Sequence, residues 1–131
     1  MNRPLSLGLA MLAGVALGAM AIKGLNAQTK PPTYLVIDIS AMTDTEGFNT
    51  VMTANSAASN AELGPLGGRM VIRTATTTAL DGTPPKRLVV AAFDSPEKAK
   101  AWYESPNTHK ITAARIKSAK SSAFIVEGAV N

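Results

Sequence analysis

The sequence predicts an α+β domain built in the order βαββαβ, with one antiparallel sheet carrying its helices on a single face. Three observations lead there. Four short runs rich in β-branched and aromatic residues recur along the chain, at Tyr34–Ile39, Arg69–Thr74, Lys86–Phe93 and Ala123–Glu127. Helix-start signals separate the first run from the second and the third from the fourth, whereas only a turn signal, Asp81-Gly82, separates the second from the third. The length, 131 residues, suits one modest domain.

Ahead of that domain, Leu5 to Ile22 contains no charged residue, with Arg3 before it and Lys23 after it. A short basic start, an apolar middle and a small residue at Ala27 have the anatomy of a secretory leader, so residues 1–27 are expected to be a signal peptide cleaved before Gln28. The mature protein would be periplasmic or secreted, with no stable membrane insertion. The competing expectation is an uncleaved leader anchoring the protein to the inner membrane, because the apolar run reaches the ~18 residues from which a span is plausible. Its many glycines and alanines argue for cleavage. Residues 28–32 read as an extended tether ending in Pro31-Pro32, which leaves 33–131 as the folded domain.

The chain has no cysteine, which removes disulfides, thiolate nucleophiles, thiolate metal ligands and a lipid anchor of the lipoprotein kind. The formal charge of +4 becomes +2 when Arg3 and Lys23 leave with the leader, too little for a nucleic-acid binder. The locally basic stretch Lys110–Lys120 reads as a solvated helix face.

Each element has its own reason. Tyr34–Ile39 is too short for a helix and reads as a buried central strand interrupted by Asp38. Thr43-Asp44-Thr45-Glu46 matches a capping box, and Phe48, Val51 and Met52 give the helix that follows an apolar stripe. That helix is expected to fade through Asn55–Asn60 and to stop at Leu63-Gly64-Pro65, with Gly67-Gly68 turning into the next strand. Arg69–Thr74 alternates, placing Arg69, Val71 and Arg73 on one face and Met70 and Ile72 on the other. After the third strand, Ser95-Pro96 and Ser105-Pro106 are two helix starts in which serine can cap and proline occupies the first turn. Ala99, Trp102 and Tyr103 share one face of the first of these helices. The fold is therefore expected to be ferredoxin-like. Its outer sheet face, assigned to Tyr34, Val36, Val71, Val89 and Ala91, is too apolar to meet water, and a second copy is the simplest cover.

The residues also resemble a known family, catalogued as domain of unknown function 1330, over about the last hundred residues. The likeness is carried by Gly67-Gly68-Arg69, Arg73, Leu80-Asp81-Gly82, Arg87, Phe93-Asp94-Ser95, Trp102-Tyr103-Glu104-Ser105-Pro106, Arg115 and Val126-Glu127-Gly128. Thr74-Ala75 stands where the family has two glycines, and Thr108 where an aromatic is common. The resemblance implies a ferredoxin-like chain pairing as a dimeric α/β barrel, in a superfamily that includes cofactor-independent oxygenases and isomerases.

No motif for a phosphate loop, a metal centre or a catalytic triad is present, and no cofactor is expected. One histidine, His109, is available for acid/base work and is the sole catalytic candidate, too isolated to hold a metal. The ligand-binding candidates are Arg73 and Tyr103 first, then Arg115, Arg69 and Trp102. A planar guanidinium recognises carboxylate, and aromatic walls supply apolar area. Two functions follow: an exported homodimer with a pocket for a small organic ligand, anionic if the arginines face it, or a cofactor-independent oxygenase or isomerase by analogy with the superfamily.

Overall fold

A computed structural model describes residues 30–130; the expected leader lies outside them. Pro32–Gly128 form one compact unit. Its elements are β1 (Thr33–Met42), α1 (Thr45–Ala61), a single 3-10 turn (Gly64–Leu66), β2 (Arg69–Thr74), β3 (Arg87–Phe93), α2 (Pro96–Tyr103), α3 (Pro106–Ser118) and β4 (Ala119–Glu127). The sheet runs β2-β3-β1-β4 with every neighbour antiparallel. This is the expected ferredoxin-like order, with the first and third strands central. Among the described residues no helix is long and apolar enough to cross a membrane.

The core lies between the helices and the inner sheet face, where Leu35, Ala91 and Phe93 pack against Leu63, Ala99 and Trp102. The Phe93 and Trp102 rings meet at a tilt, their centroids 5.9 Å apart. Gly68 is needed for this packing, since a Cβ there would stand 2.5 Å from the Phe93 ring and 2.9 Å from Leu63. The preceding Gly67 supplies the left-handed backbone, φ 69°, that ends the 3-10 turn.

Several local expectations are corrected. α1 is capped by Asp44, whose side chain accepts from Gly47 N at 2.9 Å, and not by Thr43. The backbone N–H groups of Thr43 and Asp44 both donate to Ser118 O, so the chain is held outside the helix at these residues and the helix begins one residue later than the capping box would place it. α1 also runs unbroken through Asn55–Asn60, because tertiary bonds to Ser59 outweigh the weak helix propensity of serine and asparagine. The left-handed glycine is Gly67, while Gly64 sits inside the 3-10 turn. Beyond β2, Thr76–Leu80 forms a loop in which Leu80 is 99% exposed.

The register corrects the two sheet faces. A bulge between Met70 and Ile72 breaks the alternation of β2, so Arg69 pairs with Ala92 and Arg73 with Val89. Directly opposed residues share a face, and Ala92 and Val89 lie on opposite faces of β3. Arg69 and Arg73 are therefore on opposite sides of the sheet. Val36 pairs with Val90 and Tyr34 with Ala92, which gives the outer face Tyr34, Val36, Leu88, Val90, Ala92, Ile72, Phe124 and Val126. Val89 and Ala91 face the helices instead.

Candidate functional site

Between the inner sheet face and the helices lies a cleft of about 70 Å³. Its floor is Ile37 and Ile39 of β1 and Val89 of β3, with Met70 and Arg73 from β2. Phe48, Met52, Ser56, Ser59 and Asn60 of α1 form one wall. Trp102 of α2 and Thr108, Ile111, Thr112 and Arg115 of α3 complete it. The lining is mainly hydrocarbon, ring and thioether, with a few hydroxyls, one amide and two guanidiniums. Among the described residues no carboxylate or imidazole contributes.

Arg115 is the unusual member. It is 4% exposed, and its partners are neutral: Nη1 donates to Ser121 Oγ at 2.6 Å and Nη2 to Tyr103 Oη at 2.8 Å. Among the described residues the one ion pair within 4.0 Å joins Lys98 to Asp94 on the surface, so the charge of Arg115 is not balanced by an acid. Burying a guanidinium without a counter-charge opposes folding unless something else compensates it. Two of its five N–H donors are engaged by hydroxyls.

The helical wall is held by a hydroxyl cluster. Ser59 Oγ and Thr108 Oγ1 are 2.6 Å apart, Ser105 Oγ stands 3.0 Å from Thr108 Oγ1, and it donates to Trp102 O at 2.6 Å. Trp102 Nε1 donates to Ser59 O at 2.8 Å, tying α2 to α1. Beside this cluster the nearby Ser105 hydroxyl and the Asn107 amide, which donates to Oε1 at 2.7 Å, hold the Glu62 carboxyl below its ordinary value. Ser105 points its hydroxyl at the Trp102 carbonyl in this structure, so Glu62 Oε2 has no donor in bonding geometry.

Of the residues singled out in the sequence, Arg73, Arg115 and Trp102 come together around the cleft. Arg73 Nη2 donates to Asn60 Oδ1 at 2.5 Å. Tyr103 stands behind Arg115 and faces a separate groove with Lys100 and Phe124, so it positions the guanidinium and does not line the cleft. Arg69 lies on the outer face, removed by the β2 bulge. His109 is exposed on α3 and is not among the cleft residues. Among the described residues no three His, Asp or Glu side chains cluster to hold a metal. Arg115 does not belong to a solvated basic face, as the stretch Lys110–Lys120 suggested. The spacing Thr108, Ile111, Thr112, Arg115 is an i, i+3, i+4, i+7 stripe, and it turns the arginine inward. The same arithmetic carries the α1 stripe from Phe48 and Met52 on to Ser56 and Ser59, a signal overlooked because those positions are polar.

The fold and this cleft define a ferredoxin-like α+β protein with a small cationic site between helices and sheet. The chain belongs to the family described as domain of unknown function DUF1330, whose pattern matches residues 32–129. No curated protein is similar enough in sequence to match it. Among solved structures it is similar to a protein of unknown function from Rhodopseudomonas palustris, at 14% identity over 76% of this chain and 84% of that one, with a TM-score of 0.58. A dimeric ferredoxin-like protein of unknown function from Thermobifida fusca is 17% identical over 74% of this chain and 91% of that one, with a TM-score of 0.54. A Caulobacter crescentus protein, described provisionally as an antibiotic biosynthesis monooxygenase, is 12% identical over 79% and 95% of the two chains, with a TM-score of 0.52. At these identities the likeness is one of fold.

Proposed function

We propose that the protein is an exported homodimer that binds a small organic anion in the cleft, with the acid group of the ligand against Arg115. The carrying observation is a buried guanidinium lining an apolar cavity and held only by neutral hydroxyls. A carboxylate would supply the missing counter-charge and accept the donors left over, and the apolar walls would take the rest of the molecule. Cations and hydroxyls without a carboxylate or imidazole suit binding and orientation better than acid–base chemistry, which favours this reading over the oxygenase or isomerase one.

The test is a thermal-shift and calorimetric screen of small carboxylates, together with a native mass spectrum of protein taken from its own host. A carboxylate that raises the melting temperature of the wild type and leaves Arg115→Met unmoved is the expected result. A folded wild type that carries no ligand and responds to no small carboxylate overturns the reading. Dimer formation is supported by the apolar outer face, where Ile72, Phe124 and Val126 are 39%, 45% and 40% exposed. Export rests on the leader anatomy, and N-terminal sequencing of mature protein should begin at Gln28.

A further inference from the structure

We propose that the ligand is a dianion, a short dicarboxylate or its equivalent, whose second acid group is held at the mouth of the cleft by Arg73 with Asn60. This rests on the reading that a first acid group meets Arg115. Two arginines line the cleft from different elements, and a third, Arg87, stands against one of its lining rings. Arg115 descends from α3 and is bonded to Ser121 on β4, at one lateral edge of the sheet. Arg73 rises from β2, at the other edge. β3 and β1 run between them, and three strand spacings of about 4.8 Å put the two edge backbones about 14 Å apart. Both residues line the cleft, whose floor between them includes Val89 and Ile37, and their heads are anchored on different elements, Arg73 on Asn60 of α1 and Arg115 on Ser121 of β4. Arg87 strengthens the field at the Arg73 side. It lies two residues from Val89 on β3, pairs with Ile39 on the inner face, and holds its guanidinium carbon 5.7 Å from the centre of the Phe48 ring that lines the cleft.

Size and exposure agree with this division. At 10–15 Å³ for each water-sized site, 70 Å³ accommodates about five to seven non-hydrogen atoms, one acid group and a few carbons. Anything longer must extend into the mouth. Arg73 is exposed there and bound to the neutral Asn60 amide, which can turn its NH₂ toward the same oxygens. An apolar monoacid would use Arg115 and leave the mouth to water. A dianion uses both ends.

Isothermal titration of the full mature chain with the dicarboxylates from malonate to adipate, each against the monocarboxylate of equal chain length, tests the second site. At least one dicarboxylate is expected to bind about tenfold tighter than its monoacid, the effect of one added charge-assisted contact. Arg73→Met should cost the dicarboxylate several-fold more affinity than the monoacid and so close the gap between them, while Arg115→Met removes binding of both. Circular dichroism confirms that each variant is folded. If monoacids and diacids bind equally and Arg73→Met changes neither, the second site is wrong and the Arg115 site stands. If neither class binds, or Arg115→Met is without effect, the underlying reading falls with it.

Discussion

Arg115 shows at the level of one residue how a candidate site was partly legible and partly hidden. Its type and its place on the last helix marked it as a candidate, yet a locally basic stretch suggested a solvated face. The stripe Thr108, Ile111, Thr112, Arg115 was present in the sequence, but reading it inward requires knowing that threonines at 108 and 112 are core residues. Replacing this arginine separates binding from stability. Arg115→Met removes an uncompensated buried charge and keeps the volume, but it leaves the Tyr103 and Ser121 hydroxyls short of a partner. The two effects oppose each other, so the ligand-free variant should stay within about 1 kcal/mol of wild type in urea denaturation. Glu62 makes a second prediction at this scale. Its carboxyl is held below the ordinary 4.5 by Ser105 and Asn107, so the folded state favours the charged form. The stabilisation is present above that ordinary value and is lost as pH falls through the lower folded one. Wild-type urea midpoints should therefore decline more steeply on acidification than those of Glu62→Gln, and parallel curves would show that the carboxylate contributes nothing.

Among the elements, β2 explains why a correct strand assignment still misplaced its side chains. Alternation put Arg69 and Arg73 together, and a one-residue bulge that no local pattern announces put them apart. The strand itself, the two proline-marked helix starts and the glycine pair were all readable, because each depends on chemistry within a few residues, but only Ser95 caps its helix through its side chain, whereas the Ser105 hydroxyl donates to Trp102 O instead. Bulge position and the exact cap of α1 depend on partners elsewhere, β3 in one case and Ser118 in the other. The turn into β2 offers a direct test. Gly68→Ala would press a methyl group into the Phe93 ring and Leu63, both core residues, so it should destabilise by about 1–3 kcal/mol. A melting temperature equal to wild type would mean that the ring shifts without cost.

For the whole molecule, the expected architecture and the observed one agree because hydrophobic alternation and βαββαβ order leave few ways to pack four strands and three helices. The outer face was anticipated as apolar, but its residues were half misassigned, since Val89 and Ala91 look inward while Val90 and Ala92 look out. The right place to disturb a dimer is therefore Val36 or Phe124. Val36→Lys is expected to convert a particle of twice the chain mass into a monomer by light scattering, with its circular dichroism unchanged. A wild type already of monomeric mass would remove the basis for a dimer.

The sheet is a single layer, and adjacent residues on its two central strands answer to different neighbours: Ile37 and Val89 floor the cleft, while Val36 and Val90, one peptide away, look outward. No second layer insulates the two. Whatever twist or stiffness a bound molecule imposes on β1 and β3 is imposed on the surface offered to a second copy, and thermodynamic linkage then works in both directions. In the proposed ligand-binding dimer, the factor by which an occupant tightens self-association would equal the factor by which self-association tightens its hold on the occupant, and dilution alone would then be a means of release.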